Sequence, residues 1–127
     1  MSAAISSLMS REICSVGMDD TIAQVERLLA AKGLSWAPVL DAGGVVLGVI
    51  SASDLLQFHA QQRDALAVHA WQLCSYKPLS FDETTPIDEV ARAMVEEHIH
   101  HVVVTGRGGL AGVVSSLDFV RTFVRKN

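Results

Sequence analysis

Cysteine is scarce: Cys14 and Cys74 are the only two in 127 residues. They are too few and too far apart for a Cys-x-x-Cys redox or zinc motif, and both are expected to stay reduced. Basic residues are also few, 10 Lys and Arg against 14 Asp and Glu, giving a formal charge of −4. Affinity for a phosphate backbone needs clustered Lys and Arg, so broad nucleic-acid binding is excluded, although a few local donors are enough to hold a small anion. Long apolar runs are missing as well. The longest, Gly43 to Ile50, falls far short of the roughly 20 residues that span a bilayer. The opening Met1-Ser2-Ala3-Ala4-Ile5 lacks the basic start and apolar core of a secretory signal, so the expectation is a cytoplasmic chain with no membrane association.

Recognisable catalytic and metal patterns are missing too. Ser51, Ser53, Ser115 and Ser116 have no Gly-x-Ser-x-Gly elbow around them, and no His is placed by sequence as their base. His98, His100 and His101 lie close together, but no Cys or carboxylate completes a four-ligand set by spacing, so no metal is expected. Gly106-x-Gly108-Gly109 is followed by a strand where a dinucleotide fingerprint needs a helix, and it reads as a hairpin turn. An enzyme is not expected, and no catalytic residue is assigned. Among only seven aromatics, Trp36 and Trp71 are available to stack on a planar ligand or to fill a core.

What the chain does have is apolar content, 50% hydrophobic residues and chiefly Ala, Val, Leu and Ile, enough to bury a real core. It also has a repeat. Gly48-Val49-Ile50-Ser51-Ala52-Ser53-Asp54 recurs as Gly112-Val113-Val114-Ser115-Ser116-Leu117-Asp118, 64 residues on. Before the hairpin the offset is 65, which places one lost residue in the second hairpin, and a constant offset on each side of one gap signals duplication.

Thr21 with Gln24 three residues later is a capping box that starts a helix carrying Ile22, Val25, Leu28 and Leu29 on one face, with Gly33 as its stop. Ala37-Pro38-Val39-Leu40, the Gly43-Gly44 turn and Val45 to Ile50 predict a hairpin, preceded by a short strand near Ile13 to Val16. With no Gly or Pro from Ser53 to Pro78, the spacing predicts one long helix from Asp54 to about Ala70. In the second half Leu73-Cys74-Ser75 matches Leu8-Met9-Ser10, and Pro86 is expected at the first position of a helix bearing Ile87, Val90, Ala91 and Met94. Val102-Val103-Val104 and Leu110 to Val114 then repeat the hairpin, and a last helix runs from Leu117.

Leu8-Met9-Ser10, the capped helix, Ala37-Pro38-Val39 and Gly48-Val49-Ile50-Ser51-x-x-Asp54 resemble a CBS domain, and their counterparts from Leu73 to Asp118 resemble a second. The whole chain is similar to a stand-alone CBS pair, or Bateman module, with residues 1–64 and 65–127 as its two domains. The resemblance implies an α+β fold of tandem β-α-β-β-α repeats, related by a pseudo-twofold axis with two clefts between them. It also implies a non-catalytic regulatory module, with no cofactor, that binds an adenosine-containing ligand: AMP, ADP, ATP or S-adenosylmethionine. The alternative is a ligand-free scaffold of the same fold that serves a regulated partner protein. A homodimer is expected, with Phe58, Phe119, Val120 and Phe123 as candidate contact residues.

Carried over by position, one site joins Ser51 and Asp54 to Lys77, Pro78, Leu79, Ser80, His100, His101 and Val102. The other joins Ser115 and Asp118 to Ile13, Cys14, Ser15, Trp36, Ala37 and Pro38. The family's aspartate accepts hydrogen bonds from ribose hydroxyls. Because His100-His101 faces Ser35-Trp36 at the equivalent positions, phosphate-bearing ligands are expected at the Asp54 site, while the Asp118 site is empty or prefers less charge. Val103 stands where the second repeat of the family pattern has Pro. Without any ligand, Ser followed by Asp three residues later is also simply a helix cap.

Overall fold

A computed structural model describes residues 3–76 and 79–125, and its backbone separates into two compact units. The first is Cys14–Pro78, and the second is Met1–Ile13 with Leu79–Asn127. In chain order the first unit contains β1 (Val16–Gly17), α1 (Ile22–Lys32), β2 (Trp36–Leu40), β3 (Val46–Ser51), α2 (Ala52–Ala60), α3 (Ala70–Leu73) and β4 (Ser75–Tyr76). The second has a 3-10 turn at Ile5–Ser7, then β5 (Ser80–Asp82), α4 (Ile87–Glu96), β6 (His101–Gly106), β7 (Gly109–Ser115) and α5 (Ser116–Arg125). This is an α+β fold in which β-α-β-β-α occurs twice.

Each sheet is built on its hairpin. β2 pairs antiparallel with β3, and β6 with β7. A parallel strand lies beside each, β1 on β2 and β5 on β6. Both hairpins slip register at the same place, between Val39 and Leu40 and between Val104 and Thr105. The first turn is held by Asp41, whose Oδ1 accepts from the amides of Gly43 and Val45 at 2.9 Å, with Gly44 at a φ of +85°. The second turn is shorter and closes with Gly106 opposite Gly109, which accounts for the lost residue.

Helix α1 begins and ends where its local signals place it. The Thr21 hydroxyl accepts from the Gln24 amide at 3.2 Å, and the Gln24 side chain accepts from the Thr21 amide at 2.8 Å. Gly33 ends α1 in the left-handed region at φ +64°. Ile22, Val25 and Leu29 are buried with Val16, Ala37, Val39, Ile50 and Phe58 in the first core. The second core gathers Val90, Met94, Val102, Val104 and Val114.

The compact units are cut differently from the sequence repeats. The segment leading into the first repeat packs in the second unit, where Ile5 is fully buried and Met9 nearly so. The segment leading into the second repeat packs in the first unit, where Ala70 and Cys74 occupy the corresponding core positions. Hydrogen bonds repeat the exchange. The Ile22 amide donates to Val68 O at 2.9 Å and the Ala70 amide to Asp20 O at 2.8 Å, while Ile87 donates to Ala3 O at 2.9 Å and Ile5 to Thr85 O at 2.7 Å. Each leader thus satisfies an amide at the start of a helix that has no intrahelical partner. The same relation holds at the sheets, where Ser75 pairs with Val49 and Ser10 with Val113.

Four sequence expectations change. The long helix from Asp54 to Ala70 does not form: α2 stops at Ala60, and Gln62 takes a φ of +56°. An Asp64 turn follows, with Leu66 donating to its carboxylate at 2.9 Å. The carbonyls of Ala65 and Val68 are used by α1, accepting from Ala23 and Ile22, and this tertiary pairing overrides a sequence free of helix breakers. Pro86 sits at the N-cap, one residue before the first helical position, and β1 forms at Val16–Gly17. Phe58 is core, 1% exposed, and so belongs to no surface contact.

Candidate functional site

Each hairpin ends at a helix N-terminus, and the side chains at these two junctions are arranged alike. In the first unit the Asp54 carboxylate folds back on the cap: its Oδ2 accepts from the Ser51 amide at 2.9 Å and from the Ser51 hydroxyl at 3.0 Å. The Asp54 amide donates to Ser51 Oγ at 3.2 Å. In the second unit Asp118 Oδ2 accepts from the Ser115 amide at 2.8 Å and from its hydroxyl at 3.3 Å. The cap engages one oxygen of each carboxylate. The same aspartate can therefore cap a helix and present its other oxygen to hydroxyl donors.

That second oxygen differs between the junctions. Among the described residues Asp54 Oδ1 has no hydrogen-bond partner, whereas Asp118 Oδ1 lies 3.4 Å from Arg121 Nη1. The sequence reading did not single out Arg121. Its spacing of three from Asp118 was the available signal, since residues i and i+3 share a helix face.

The structure gives His100 and His101 different surroundings. His101 opens β6 opposite Ser115 and is half-buried. Burial pushes its pKa down to about 4, the neighbouring His100 pushes the same way, and Asp118 opposes both. Its imidazole is uncharged at neutral pH, so His101 offers no charge-assisted bond. His100 turns to α5, where its carbonyl accepts from the Ser116 amide at 2.9 Å. With Met94, Val95, His98, Ile99 and Ser116 it lines an open cavity of about 280 Å³ within the second unit.

The remaining assigned residues fall into three groups. Ala37, Pro38 and Val102 are buried, so their side chains face the interior. Trp36 pairs across the ladder with Ser51, next to Asp54, and Ser80 pairs with Val103 while Leu79 O accepts from the Val103 amide at 3.0 Å. Ile13, Cys14 and Ser15 are half-buried and precede β1. Lys77 and Pro78 lie outside the described residues. Cys74 is buried beside Tyr76 with its thiol pKa raised, chiefly by burial, and both cysteines are free. Among the described residues no three His, Cys, Asp or Glu side chains gather as a metal would need, and no helix is long and apolar enough to cross a membrane.

A twice-repeated β-α-β-β-α unit with a hydroxyl and carboxylate at each strand-to-helix junction defines a class of tandem α+β modules. The CBS domain family model matches residues 5–60 and again 70–125, and the chain belongs to that family. Inosine-5′-monophosphate dehydrogenase of Mycobacterium tuberculosis is 31% identical over 106 residues, a match spanning 82% of this chain and 19% of the enzyme. The chain thus spans about a fifth of the length of that relative. Two solved structures share the fold. The CBS domain pair of protein MJ0100 in complex with 5′-methylthioadenosine and S-adenosyl-L-methionine has a TM-score of 0.89 at 21% identity, covering 100% of both chains. CBSX2 in complex with AMP has a TM-score of 0.85 at 21% identity, covering 97% of each.

Proposed function

We propose that this chain is a non-catalytic, cytoplasmic sensor module that binds an adenosine-containing ligand, AMP, ADP, ATP or S-adenosylmethionine, and regulates through that binding. The observation that carries this reading is the carboxylate geometry. At both junctions one aspartate oxygen is fixed by the serine while the other is not used by the cap and is an acceptor of the kind a ribose diol requires. The ligands named for MJ0100 and CBSX2 support the adenosine class. The two residue sets implied by the family resemblance remain part of the proposal as the linings of the two sites. A thermal-shift screen with the four ligands tests it. Binding to the native state raises the melting temperature, so at least one ligand is expected to do so in a concentration-dependent way. No shift with any of them at millimolar concentration would reject the reading.

One observation favours a protein partner in addition. Helix α5 buries none of its residues fully, and Leu117, Val120, Phe123 and Val124 are all about half exposed or more. We propose this face as the contact of a homodimer or of the regulated partner. Sedimentation of wild type and Phe123→Glu separates the two: loss of a dimer in the variant supports self-association, and a monomeric wild type points to a different partner.

A further inference from the structure

Helices α2 and α5 differ just beyond their first turns: three residues after the aspartate the first has Gln57 and the second Arg121. Side chains on a helix lean toward its N-terminus, so Arg121 reaches back over the first turn. Its Nη1 meets Asp118 Oδ1 at 3.4 Å, while Oδ2 is engaged by Ser115. The arginine side chain is 59% exposed and the aspartate 19%. A long, exposed pair of this kind is easily parted.

Resting on the reading above, a ribose diol that takes Asp118 Oδ1 displaces Arg121 from it. The guanidinium is then left with its charge beside the bound sugar. An anionic group attached to that sugar gives it a new partner with two-pronged geometry, whereas an uncharged group leaves it with water alone. His101, the other nitrogen base facing Asp118, is neutral and does not substitute. We propose that Arg121 is the specificity-determining residue of the Asp118 half-site, exchanging the aspartate for a ligand phosphate, so that this half-site selects phosphorylated adenosine over adenosine. This reverses the charge preference that the histidine pair suggested for the two sites.

The test measures AMP and adenosine affinities by titration calorimetry in Asp54→Ala protein, and again with Arg121→Gln or Arg121→Lys added. The expected result is an AMP preference of about tenfold or more that falls toward equality in the glutamine variant through loss of AMP affinity alone, with partial retention by lysine. The salt dependence of AMP binding should flatten in parallel. An unchanged preference in Arg121→Gln overturns the proposal. An equal gain in affinity for both ligands also overturns it, since Arg121 would then merely occlude Asp118. If wild type binds AMP but Asp54→Ala protein binds neither ligand, the Asp118 inference falls and the Asp54 site stands. If wild type itself binds neither, the functional reading falls with it.

Discussion

At Asp54 the second carboxylate oxygen has no partner among the described residues, and β2 places Trp36 opposite the capping serine. At Asp118 the second oxygen is held by Arg121, and an uncharged His101 stands opposite the capping serine. The caps themselves agree to within a few tenths of an ångström. Duplication kept the serine-aspartate contacts that hold each helix N-terminus, and divergence acted on what surrounds them. A capping serine and aspartate are constrained by helix stability, and on the proposed reading by ligand geometry as well.

The sharpest way to break the equivalence of the two units is at Gly48 and Gly112, the paired glycines where each hairpin passes the leader of the other repeat. A Cβ on Gly48 would overlap the Ser75 carbonyl oxygen and come within 3.0 Å of Cys74 Sγ. On Gly112 it would meet Met9 Sδ at 2.5 Å and the Ser10 carbonyl oxygen at 2.8 Å. Both meet a backbone carbonyl that cannot move aside, but the one at Gly48 is the nearer, and the nearest atom at Gly112 belongs to a flexible methionine. Gly48→Ala should therefore destabilise by about 3 kcal/mol and Gly112→Ala by about 1 to 2 kcal/mol, read from urea denaturation. Equal losses would mean that the exchanged leaders are equally adaptable.

A second comparison is made by acid. The folded pKa of His101 is near 4 against an ordinary 6.5, so below 6.5 the unfolded chain binds the proton and the folded chain resists it. The stability due to its neutral form is fully present above pH 6.5 and is lost as pH falls toward 4. Discounted for its partial exposure, this loss is about 1 to 2 kcal/mol. Trp36 at the equivalent place does not titrate. His101→Phe should flatten the stability difference between pH 7 and pH 5 by that amount, whereas identical pH profiles for wild type and variant would place the acid sensitivity elsewhere.

Much of this architecture was legible in the chain. Thr21 with Gln24, Gly33, the two glycine turns and the Ser-x-x-Asp junctions are local signals, each satisfied within a few residues, and each formed as read. What failed was non-local. Residues 61–69 contain no helix breaker, yet their carbonyls serve α1, and no local pattern records that demand. The exchange of leaders between units was hidden for the same reason, since Leu8-Met9-Ser10 and Leu73-Cys74-Ser75 read alike wherever they pack. Arg121 was visible in spacing, but it gained meaning only once Asp118 had one oxygen committed to its cap.

The remaining differences are smaller. Removing the cap carboxylate should weaken each unit similarly, with Asp54→Ala costing about 1 kcal/mol in denaturant unfolding and Asp118→Ala slightly more from loss of its arginine contact. A clear inequality in the opposite sense would show that the caps are not equivalent. Smallest is a side-chain contact of the first unit: His59 Nε2 meets Glu26 Oε2 at 2.5 Å, where Phe123 and Ala91 occupy the equivalent positions. Because the pair is largely exposed, Glu26→Gln should cost no more than about 0.5 kcal/mol. A loss several times larger would make it a structural clasp between α1 and α2.

The most direct test of the central claim, that the second carboxylate oxygens of Asp54 and Asp118 receive the ribose of an adenosine ligand, is calorimetric titration of AMP into wild type and into the Asp54→Ala, Asp118→Ala double variant. Saturable binding by wild type that weakens at least about tenfold in a double variant that still folds is the predicted result. Equal AMP affinity in both proteins, or no binding by either, would contradict it.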